Sequence, residues 1–507
     1  MKVDVLLVHP PVNFFLKRNP IQHSSCVGYG LLHIAACLIQ RGYKVAVWNL
    51  EAIRPSQYIL PQSLQISLEK FDPSVIGIEL NWVSFSKGAI QTAELFKKIR
   101  PDIPIILGGT HATIFSTEIV RNYHQIVDAV LRGEGEKTFI KVVENVEKDR
   151  GFHNIGGLVT FKDGYIYEVP ISKSDLYMNI DDIPPYSNKI ILPINLDTTR
   201  LGLGPSINTC RGPCNYNCIY CIGGQKPHFS SRESFSVHSP KWIINQINIL
   251  IEEGAKEIAF QDLLFLSGKK RLIQLAKMVR NEKINEEIAG FNMTAIPGFL
   301  DGETLEELSR AGIYNIDYGT ETGSNHIMRI LNRPTSKKKI LDSIKVTASK
   351  GIIPFTWWMI GLPKERPEDI EETLKLINKT TELGSIPRWI TPLIILPSTL
   401  LFKQARKFDI KIRMKSFEDF SIYSDLGEKA ISWYPETISH ETEFLNQYDI
   451  LRETIKLKID VFQKRDIIID NFIKNIDTII SYHPLLSSNI LENMIKDTLG
   501  YLLKTFY

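Results

Sequence analysis

The stretch Thr209-Cys-Arg-Gly-Pro-Cys-Asn-Tyr-Asn-Cys-Ile-Tyr-Cys-Ile-Gly-Gly224 gathers four of the six cysteines of the chain into one loop. Thiolates are the ligands that select iron–sulfur clusters and zinc, so this crowding predicts a metal centre. The last three cysteines are spaced Cys214-x3-Cys218-x2-Cys221, with the aromatic Tyr220 directly before the final one. Three ligands would leave one iron of a four-iron cluster open, and a substrate or cofactor coordinates at an open metal position.

This spacing resembles the signature of the radical S-adenosylmethionine superfamily, Cys-x3-Cys-x-aromatic-Cys. The resemblance implies a 4Fe-4S cluster held by Cys214, Cys218 and Cys221. It further implies that S-adenosyl-L-methionine binds the open iron and is cleaved reductively to a 5′-deoxyadenosyl radical. The alternative is a structural zinc site that adds Cys210, although zinc sites usually draw on two ligand pairs separated by a longer loop. We leave Cys210 out of the cluster because the superfamily pattern does not need it.

Length and composition indicate a multidomain globular protein. A chain of 507 residues is expected to form more than one domain, and 43% hydrophobic with 23% charged residues is ordinary for a soluble protein. A formal net charge of +3 is too small to favour nucleic acid as a partner. The first residues begin a strand pattern rather than a signal peptide, and no apolar run reaches the length of a bilayer. We therefore expect a cytoplasmic protein, with peripheral membrane contact left open as an alternative.

Residues 1–145 alternate between apolar strand patterns and helical segments, which predicts a doubly wound, flavodoxin-like parallel sheet in an α/β domain. Such sheets bind ligands at the carboxyl ends of their strands. The predicted strands cover residues 3–8, 44–48, 75–80, 103–107 and 127–131.

The residues after these strands resemble the cobalamin-binding domain that precedes many radical S-adenosylmethionine enzymes. The marks are Pro10-Pro11, Gly108-Gly-x-His-Ala-Thr113 and Gly133-Glu-Gly-Glu136. The resemblance implies cobalamin contacts from Pro10, Pro11, Asn81, Trp82, Gly108, Gly109, Thr110, His111, Gly133 and Glu134. The chain has no Asp-x-His-x-x-Gly motif, which implies cobalt without a histidine ligand from the protein. A flavin or nucleotide is the alternative ligand, since the fold alone does not choose. His111 could instead cap a turn, and Trp82 could fill an interface.

Residues 146–204 form a predicted linker that contains a β-hairpin with Asp163-Gly164 as its turn. Residues 205–410 again alternate strands and helices, which suits a partial (β/α)6 radical SAM barrel. Its strands are predicted at residues 257–261, 289–295, 314–319, 354–360 and 389–396, after one that leads into Cys210. Residues 411–507 form an α-helical C-terminal region, with helices predicted at residues 441–462, 467–480 and 490–506.

Motifs in the predicted barrel lie at strand ends, where barrels carry their chemistry. Gly319-Thr-Glu-Thr-Gly323 resembles the family's Gly-x-Glu-Ser-Gly, and Gly361-Leu-Pro363 matches its Gly-x-Pro. A carboxylate there can accept hydrogen bonds from an ammonium or hydroxyl group, and an arginine can meet a carboxylate with its planar fork. We predict S-adenosylmethionine contacts from Tyr220, Gly223, Gly224, Glu321, Arg333 and Gly361. The alternatives are a solvated glutamate at position 321 and a surface ion pair at position 333.

The preferred function is that of a cobalamin-dependent radical S-adenosylmethionine enzyme that methylates an unactivated carbon. The same cofactors could instead close a ring or join two carbons, including in a lipid. A non-catalytic redox or cobalamin sensor is the alternative from another class. The expected partners are a small-molecule or lipid substrate and an electron donor such as ferredoxin or flavodoxin, with no nucleic acid.

Overall fold

A computed structural model of the chain describes residues 2–14, 27–53, 60–192, 205–224, 232–260, 262, 264–426, 433–483 and 485. The chain divides into two compact units. The first unit comprises Met1–Asn195, Lys226–Ser236 and Met414–Ala430. The second unit comprises Leu196–Gln225, Val237–Arg413 and Ile431–Tyr507. The domain boundaries predicted at residues 145, 204 and 410 remain predictions.

The β-strands are, in chain order, β1 (Val5–His9), β2 (Val45–Asn49), β3 (Val75–Glu79), β4 (Ile105–Gly108), β5 (Ala129–Leu131), β6 (Leu158–Lys162), β7 (Tyr165–Glu168), β8 (Ile191–Leu192), β9 (Cys210–Arg211), β10 (Ser236–Val237), β11 (Glu257–Phe260), β12 (Gly290–Ala295), β13 (Ile313–Glu321), β14 (Ile353–Ile360), β15 (Ile386–Pro392), β16 (Lys411–Ile412) and β17 (His440–Glu441).

The α-helices are, in chain order, α1 (Tyr29–Gln40), α2 (Leu50–Ile53), α3 (Leu60–Phe71), α4 (Ser86–Ile99), α5 (Thr110–Ile114), α6 (Ser116–Tyr123), α7 (Glu136–Glu147), α8 (Pro240–Glu252), α9 (Lys269–Asn281), α10 (Gly302–Arg310), α11 (Asn325–Ile330), α12 (Lys337–Ser349), α13 (Pro367–Glu382), α14 (Leu400–Lys403), α15 (Phe417–Phe420), α16 (Ile422–Leu426), α17 (Gln447–Gln463) and α18 (Arg465–Tyr482).

The first unit is built on an eight-stranded sheet in the order β7-β6-β5-β4-β3-β1-β2-β8. Strands β1 to β5 pair in parallel and are almost entirely buried, because short runs rich in valine, isoleucine and leucine bury both faces of a strand. This confirms the doubly wound parallel sheet. The hairpin β6–β7 adds antiparallel strands beside β5. Asp163 and Gly164 at its turn have φ angles of 51° and 84°, as a two-residue hairpin turn requires.

The second unit is built on a five-stranded parallel sheet in the order β11-β12-β13-β14-β15. Helices α8, α9, α10, α12 and α13 alternate with these strands, so the predicted βα repeats are confirmed. The predicted strand leading into Cys210 corresponds to a single parallel bridge between Ser206 and Ala259 of β11. Because the strands are parallel, their carboxyl ends all lie at one edge of the sheet.

Two predicted helices of the C-terminal region are present as α17 and α18, with ends shifted by a few residues. The helix predicted at residues 490–506 lies outside the described residues. In the part of the chain that the structure describes, no helix combines the length and apolar character needed to cross a membrane.

A buried ion pair ties together three distant segments of the first unit. The Arg232 guanidinium donates to both carboxylate oxygens of Glu134, at 2.5 and 2.7 Å, and to the Tyr177 carbonyl at 2.7 Å. Both side chains of the pair are buried. The charge on Glu134 is therefore tolerated because a planar bidentate partner satisfies it.

We predict that Arg232→Met destabilises the first unit by about 3–5 kcal/mol, because it leaves a buried carboxylate without its cation. The free energy of unfolding, measured by urea titration with fluorescence and circular dichroism, checks this. The control is Lys173→Met, which removes an exposed pair with Glu233 and should change stability by less than about 0.5 kcal/mol. Equal effects of the two substitutions would contradict the structural role of the buried pair.

Candidate functional site

The cysteine loop of the second unit is closed by its own backbone. The Cys214 amide donates to the Gly223 carbonyl at 2.7 Å, and the Cys221 amide donates to the Cys218 carbonyl at 3.1 Å. Asn217 lies between them with a φ of 52°, a left-handed conformation that asparagine tolerates better than most residues. These contacts fold residues 214–223 into one turn, so the three predicted cluster ligands lie on the same short loop.

Ile219 anchors this loop on the carboxyl edge of the sheet. Its amide donates to the Leu331 carbonyl at 3.2 Å, and its carbonyl accepts from the Leu401 amide at 2.9 Å. Its side chain belongs to a buried apolar cluster. The other members of the cluster include Ile327, Leu331, Leu362, Leu393, Ile395 and Leu401. Most of these follow β13, β14 and β15, so burial of Ile219 fixes the loop at the ends of these strands.

Asp262 holds the chain that enters the loop. Its carboxylate accepts from the amide and hydroxyl of Thr209, from the Cys210 amide at 3.1 Å and from the Leu264 amide at 3.0 Å. Burial raises the pKa of this carboxyl, while the bonds from Thr209, Leu264 and Cys210 favour its ionised form. Asp262, two residues after the end of β11, is therefore the anchor of residues 209–210.

The three thiols at positions 214, 218 and 221 lie close enough to influence one another's charge. Burial raises the pKa of Cys214, and the neighbouring Cys218 raises it further. The Gly223 amide donates to the Cys221 sulfur at 3.4 Å, and the Arg333 Nη1 donates to the Cys218 sulfur at 3.7 Å. Hydrogen bonds to ligand sulfurs are one of the means by which a protein tunes an iron–sulfur cluster, so these donors suit a cluster site.

Among the described residues, no three histidine, cysteine, aspartate or glutamate side chains converge closely enough to hold a single metal ion. A four-iron cluster makes a different demand, because each iron that the protein holds takes a single thiolate, so three thiols bind three of the four irons. The loop meets that demand with three thiols, and a side chain at Gly223 would contact both the Cys221 sulfur at 3.5 Å and the Cys214 Cβ at 4.0 Å. The donor set therefore fits a cluster.

Glu321, Arg333 and Tyr220 form a buried charged group beside the thiols. The Arg333 Nη2 lies 3.4 Å from the Glu321 carboxylate and also donates to the Gly319 carbonyl. Burial raises the pKa of Glu321, while Arg333 and a hydrogen bond from Tyr220 lower it, and the balance stays above the ordinary value. Burial disfavours the charged form of Arg333, but Tyr220, Glu321 and Cys218 outweigh it and raise the pKa of this guanidinium.

The backbone at this group is held in a conformation that most residues avoid. Glu321 has a φ of 65°, and the register of β13 against β14 shifts between Gly319 and Glu321. Strain of this kind is characteristic of functional sites. The Arg333 Nε is buried and has no hydrogen-bond partner among the described residues. This group can therefore form further hydrogen bonds to the carboxylate or hydroxyl groups of a ligand.

Gly361 lies at the end of β14, with a φ of 81°. The Gly361 and Leu362 amides donate to the Glu365 carboxylate at 2.8 and 3.1 Å, and the His440 Nε2 donates to the Gly361 carbonyl at 2.6 Å. Burial lowers the pKa of His440 to about 4, so its ring is neutral at pH 7. Sequence reasoning missed His440, because nothing in the predicted helical C-terminal region signals that one of its side chains reaches the backbone at the end of β14.

Gly223 and Gly224 differ in their surroundings. Gly223 borders the thiols, whereas a side chain on Gly224 would lie 2.9 Å from the Asn217 backbone nitrogen. Gly224 is therefore needed for close packing inside the loop. Of the predicted S-adenosylmethionine contacts, Tyr220, Gly223, Glu321 and Arg333 lie together around the thiols, and Gly361 follows the strand next to β13.

In the first unit, Asn81 connects the carboxyl ends of three strands. It donates to the Glu79 carboxylate, which also accepts from the His9 Nδ1 at 2.9 Å, and its carbonyl oxygen accepts from the Thr110 amide at 3.1 Å. A side chain at Gly109, whose φ is 118°, would lie 2.6 Å from Asn81 Oδ1. Trp82 beside this network is 67% exposed. The network thus places an exposed indole at the carboxyl edge of the sheet, against which a broad planar ligand such as cobalamin can pack.

Other predicted cobalamin residues are enclosed. His111 is buried, and the rings of Phe115, Phe417 and Phe420 lie 4.9, 5.6 and 6.2 Å from its own. Burial lowers the pKa of His111 to about 3, which keeps the ring neutral. Pro10, Pro11 and Glu134 are also buried, the last in its pair with Arg232. Gly108 and Gly133 remain at strand ends, where Gly133 has a φ of 69°.

These features define a class of protein: an α/β enzyme with three cysteine thiols, a buried glutamate and a buried arginine at the carboxyl edge of a parallel sheet. The profile of the Radical SAM superfamily matches residues 212–377, and that of the B12 binding domain matches residues 24–143. The chain therefore contains a radical SAM domain, with a B12 binding domain ahead of it.

Curated relatives include methyltransferases and a cyclase. The chain is 27% identical over 384 residues to an uncharacterized methyltransferase of Pyrococcus horikoshii, covering 75% of this chain and 79% of that one. It is 24% identical over 317 residues to an anaerobic magnesium-protoporphyrin IX monomethyl ester cyclase of Rubrivivax gelatinosus, covering 60% of this chain and 54% of the cyclase. The chain thus spans about half the length of the cyclase.

A solved structure with the same fold is the radical S-adenosylmethionine methyltransferase TsrM of Kitasatospora setae, with cobalamin and a 4Fe-4S cluster bound. It superposes with a TM-score of 0.67 at 15% identity, over 90% of this chain and 91% of that one. This likeness shows that both chains share one fold along most of their length.

We predict that Asp262→Asn lowers the iron and sulfide bound after anaerobic reconstitution by several-fold. An amide has one acceptor oxygen, so an NH2 group would face the amides that now bind the second carboxylate oxygen. Iron and sulfide analysis measures this, together with the absorbance of thiolate-bound clusters at about 400 nm. The control is Asp409→Asn, an exposed position with a φ of 50° that asparagine accommodates. Full cluster content in the Asp262 variant would contradict the anchoring role.

Proposed function

We propose that this enzyme transfers a methyl group to an unactivated carbon of a small molecule. The observation that carries the proposal is the combination of a three-thiol loop beside the buried Glu321–Arg333 pair with a separate B12 binding domain. A methyl group needs a carrier, and an unactivated carbon needs a radical to accept it. The methyltransferase relatives, including the protein of Pyrococcus horikoshii, support this choice.

In the second unit, Cys214, Cys218 and Cys221 would hold the cluster and leave one iron without a protein ligand. Arg333 would meet the carboxylate of S-adenosylmethionine, because its planar fork matches that group. Glu321, whose carboxylate accepts a hydrogen bond from Tyr220, would also accept from the polar groups of the same cofactor. Gly223 and Gly361 would allow close approach of backbone. When bound, the cluster supplies the electron and S-adenosylmethionine the radical for the reaction.

In the first unit, Asn81, Trp82, Gly108, Gly109, Thr110 and Gly133 would border cobalamin. The enclosed residues Pro10, Pro11, His111 and Glu134 would shape this edge from beneath. When bound, cobalamin supplies the methyl carrier. His111 is enclosed by phenylalanine rings and its ring is neutral. Both observations support the expectation that no histidine of the protein ligates cobalt.

Ring closure or carbon–carbon bond formation is the second candidate function. The likeness to the cyclase of Rubrivivax gelatinosus favours it, although this chain spans about half of that protein. The same site would serve both outcomes, because the residues that hold the cofactors do not choose the fate of a substrate radical. The substrate under either proposal is a small molecule or a lipid. The electron donor would be a ferredoxin or flavodoxin, and a lipid substrate would bring peripheral membrane contact.

Anaerobic incubation with methyl-labelled S-adenosylmethionine, a reductant, cobalamin and a cell extract tests the proposal. We expect 5′-deoxyadenosine in the supernatant and label in a small-molecule or lipid fraction. Formation of 5′-deoxyadenosine with no transferred label would favour cyclisation. Absence of 5′-deoxyadenosine from a fully reconstituted enzyme would overturn both candidates.

We predict that Cys218→Ala abolishes 5′-deoxyadenosine formation, by at least about 1000-fold, since removing one thiolate breaks the cluster. The control is Cys37→Ala, which removes a buried thiol from helix α1 of the first unit and should retain the cluster. Product formation by chromatography and the electron paramagnetic resonance of the reduced cluster report the two effects. Retained cleavage in the Cys218 variant would sink the assignment of the three thiols.

We predict that Glu321→Gln weakens S-adenosylmethionine binding by roughly 10- to 100-fold, because hydrogen bonds to a charged group contribute about 1.5–3 kcal/mol. Equilibrium dialysis with labelled S-adenosylmethionine measures this in the reconstituted protein. Glu371→Gln, which alters an exposed pair with Lys375, is the matched control and should bind like wild type. Unchanged affinity in the Glu321 variant would remove this residue from the cofactor site.

A further inference from the structure

The sheet of the second unit carries a second group of side chains on the same face as the residues proposed to bind S-adenosylmethionine. In a parallel sheet, register partners project their side chains to the same face. Gly319 pairs with Trp357, and Trp357 pairs with Trp389. A side chain at Gly319 would point at Glu321 and Arg333, at 2.6 and 3.0 Å. Trp357 and Trp389 therefore lie on the face that carries the proposed cofactor site.

Trp357 is exposed although β14 lies inside the sheet. It is 41% exposed, whereas the adjacent Trp358 on the opposite face is fully buried. Its indole is held in place, because Nε1 donates to Asp317 Oδ1 at 3.0 Å. The ring of Trp389 lies 6.1 Å away, inclined by 58°. The oriented Trp357 indole and the neighbouring Trp389 ring thus form an apolar wall that is partly exposed.

Arg388 places a loosely held positive charge beside this wall. Its Nη1 lies 3.4 and 3.5 Å from the two Asp317 oxygens, much longer than the buried Arg232–Glu134 contacts of 2.5 and 2.7 Å. The guanidinium stacks over the Phe355 ring at 4.9 Å, and the side chain is 28% exposed against 11% for Asp317. The Arg388 guanidinium is therefore partly exposed, while the Asp317 carboxylate is already engaged by Trp357 and Arg388.

We propose that Trp357, Trp389, Asp317 and Arg388 form a substrate subsite for a planar aromatic ring that bears a carboxylate. The ring would pack against the two indoles, and the carboxylate would accept from the Arg388 fork. Asp317 is a positioning residue that holds Trp357 and Arg388. The choice of an anion follows from the exposed cation and the enclosed carboxylate. This inference rests on the proposed function, because it makes the same sheet face bind cofactor and substrate.

The location suits a substrate of a radical reaction. The subsite occupies the row of Gly319 and the row that precedes it. Glu321 follows on the same strand after a register shift, and its carboxylate oxygen would lie 2.6 Å from a side chain at Gly319. Successive rows on one face are two residues apart, about 7 Å along a strand. A bound ring would therefore lie within one or two rows of the residues proposed for S-adenosylmethionine. Aromatic walls also exclude water, which protects a reactive intermediate from side reactions.

Equilibrium dialysis of the reconstituted protein against three naphthalene probes tests the subsite. The probes share the naphthalene ring system and differ in charge: 1-naphthoate is an anion, 1-naphthamide is neutral and 1-naphthylmethylammonium is a cation. We expect 1-naphthoate to bind about tenfold or more tightly than the amide, as a charge-assisted bond to arginine would give. The ammonium probe should bind more weakly than the amide. Tighter binding of the ammonium, or no saturable binding of any probe, would overturn the proposal.

Variants assign the binding to these residues. Arg388→Gln should remove the preference for the carboxylate and leave the amide affinity unchanged, whereas Trp357→Ala should weaken both probes. The matched control is Arg413→Gln, which removes an arginine paired with Glu441 at 3.1 Å and should keep the preference. Trp357→Phe, which keeps a ring and loses the bond to Asp317, supports the wall if it retains amide binding. An unchanged preference in the Arg388 variant would overturn the role of that residue.

Failure of this inference is distinguishable from failure of the proposed function. Wild-type enzyme that forms 5′-deoxyadenosine but binds none of the probes would refute the subsite alone. Enzyme that binds 1-naphthoate through Arg388 but never cleaves S-adenosylmethionine would refute the function alone. The Arg388→Gln variant should keep the cluster signal and S-adenosylmethionine affinity of wild type, since Arg388 contacts neither the thiols nor Glu321 among the described contacts.

Discussion

A buried guanidinium beside three thiols is the constraint on which the second unit depends. Arg333 is placed by one turn after helix α11, where its amide donates to the Met328 carbonyl at 2.9 Å. The preceding Asn332, with a φ of 55°, donates its side-chain amide to the Tyr216 and Asn217 carbonyls at 3.1 and 3.2 Å. One turn therefore aims the cation and clamps the cysteine loop together. Because a buried cation requires anionic partners, Glu321 and the thiols have to lie where they do.

Much of this arrangement could be predicted from local patterns. Buried parallel strands read as apolar runs, and the five strands of the second sheet start and end within a few residues of their expected positions. The spacing of Cys214, Cys218 and Cys221 carries its chemistry within eight residues. Glu321 and Gly361 are predicted from short motifs that resemble those of the family and that lie at strand ends, where barrels carry their chemistry. In each case the signal lies within a single segment, so no knowledge of tertiary packing is needed.

What could not be predicted depends on partners far apart in the chain. His111 is enclosed by Phe417 and Phe420, which arrive about three hundred residues later, and the Phe417 amide donates to Glu118 at 2.8 Å. Glu134 meets Arg232 across 98 positions. A motif records that a residue type recurs, but it does not record whether the side chain faces a ligand or another segment. Long-range packing decided that question, and it turned several motif residues inward.

Two ion pairs of this protein differ in geometry in a way that indicates different roles, one in stabilising the fold and the other in binding a ligand. Arg232 and Glu134 are buried, bidentate and short, so all of the charge is used within the fold. The Arg388–Asp317 ion pair has a long N–O distance and is partly exposed. The guanidinium stacks on the ring of Phe355 rather than pairing with a second carboxylate. A surface arginine of this kind adds little to stability. Its place on the same sheet face as Gly319, beside two oriented indoles, is then better explained by what it binds than by what it holds together.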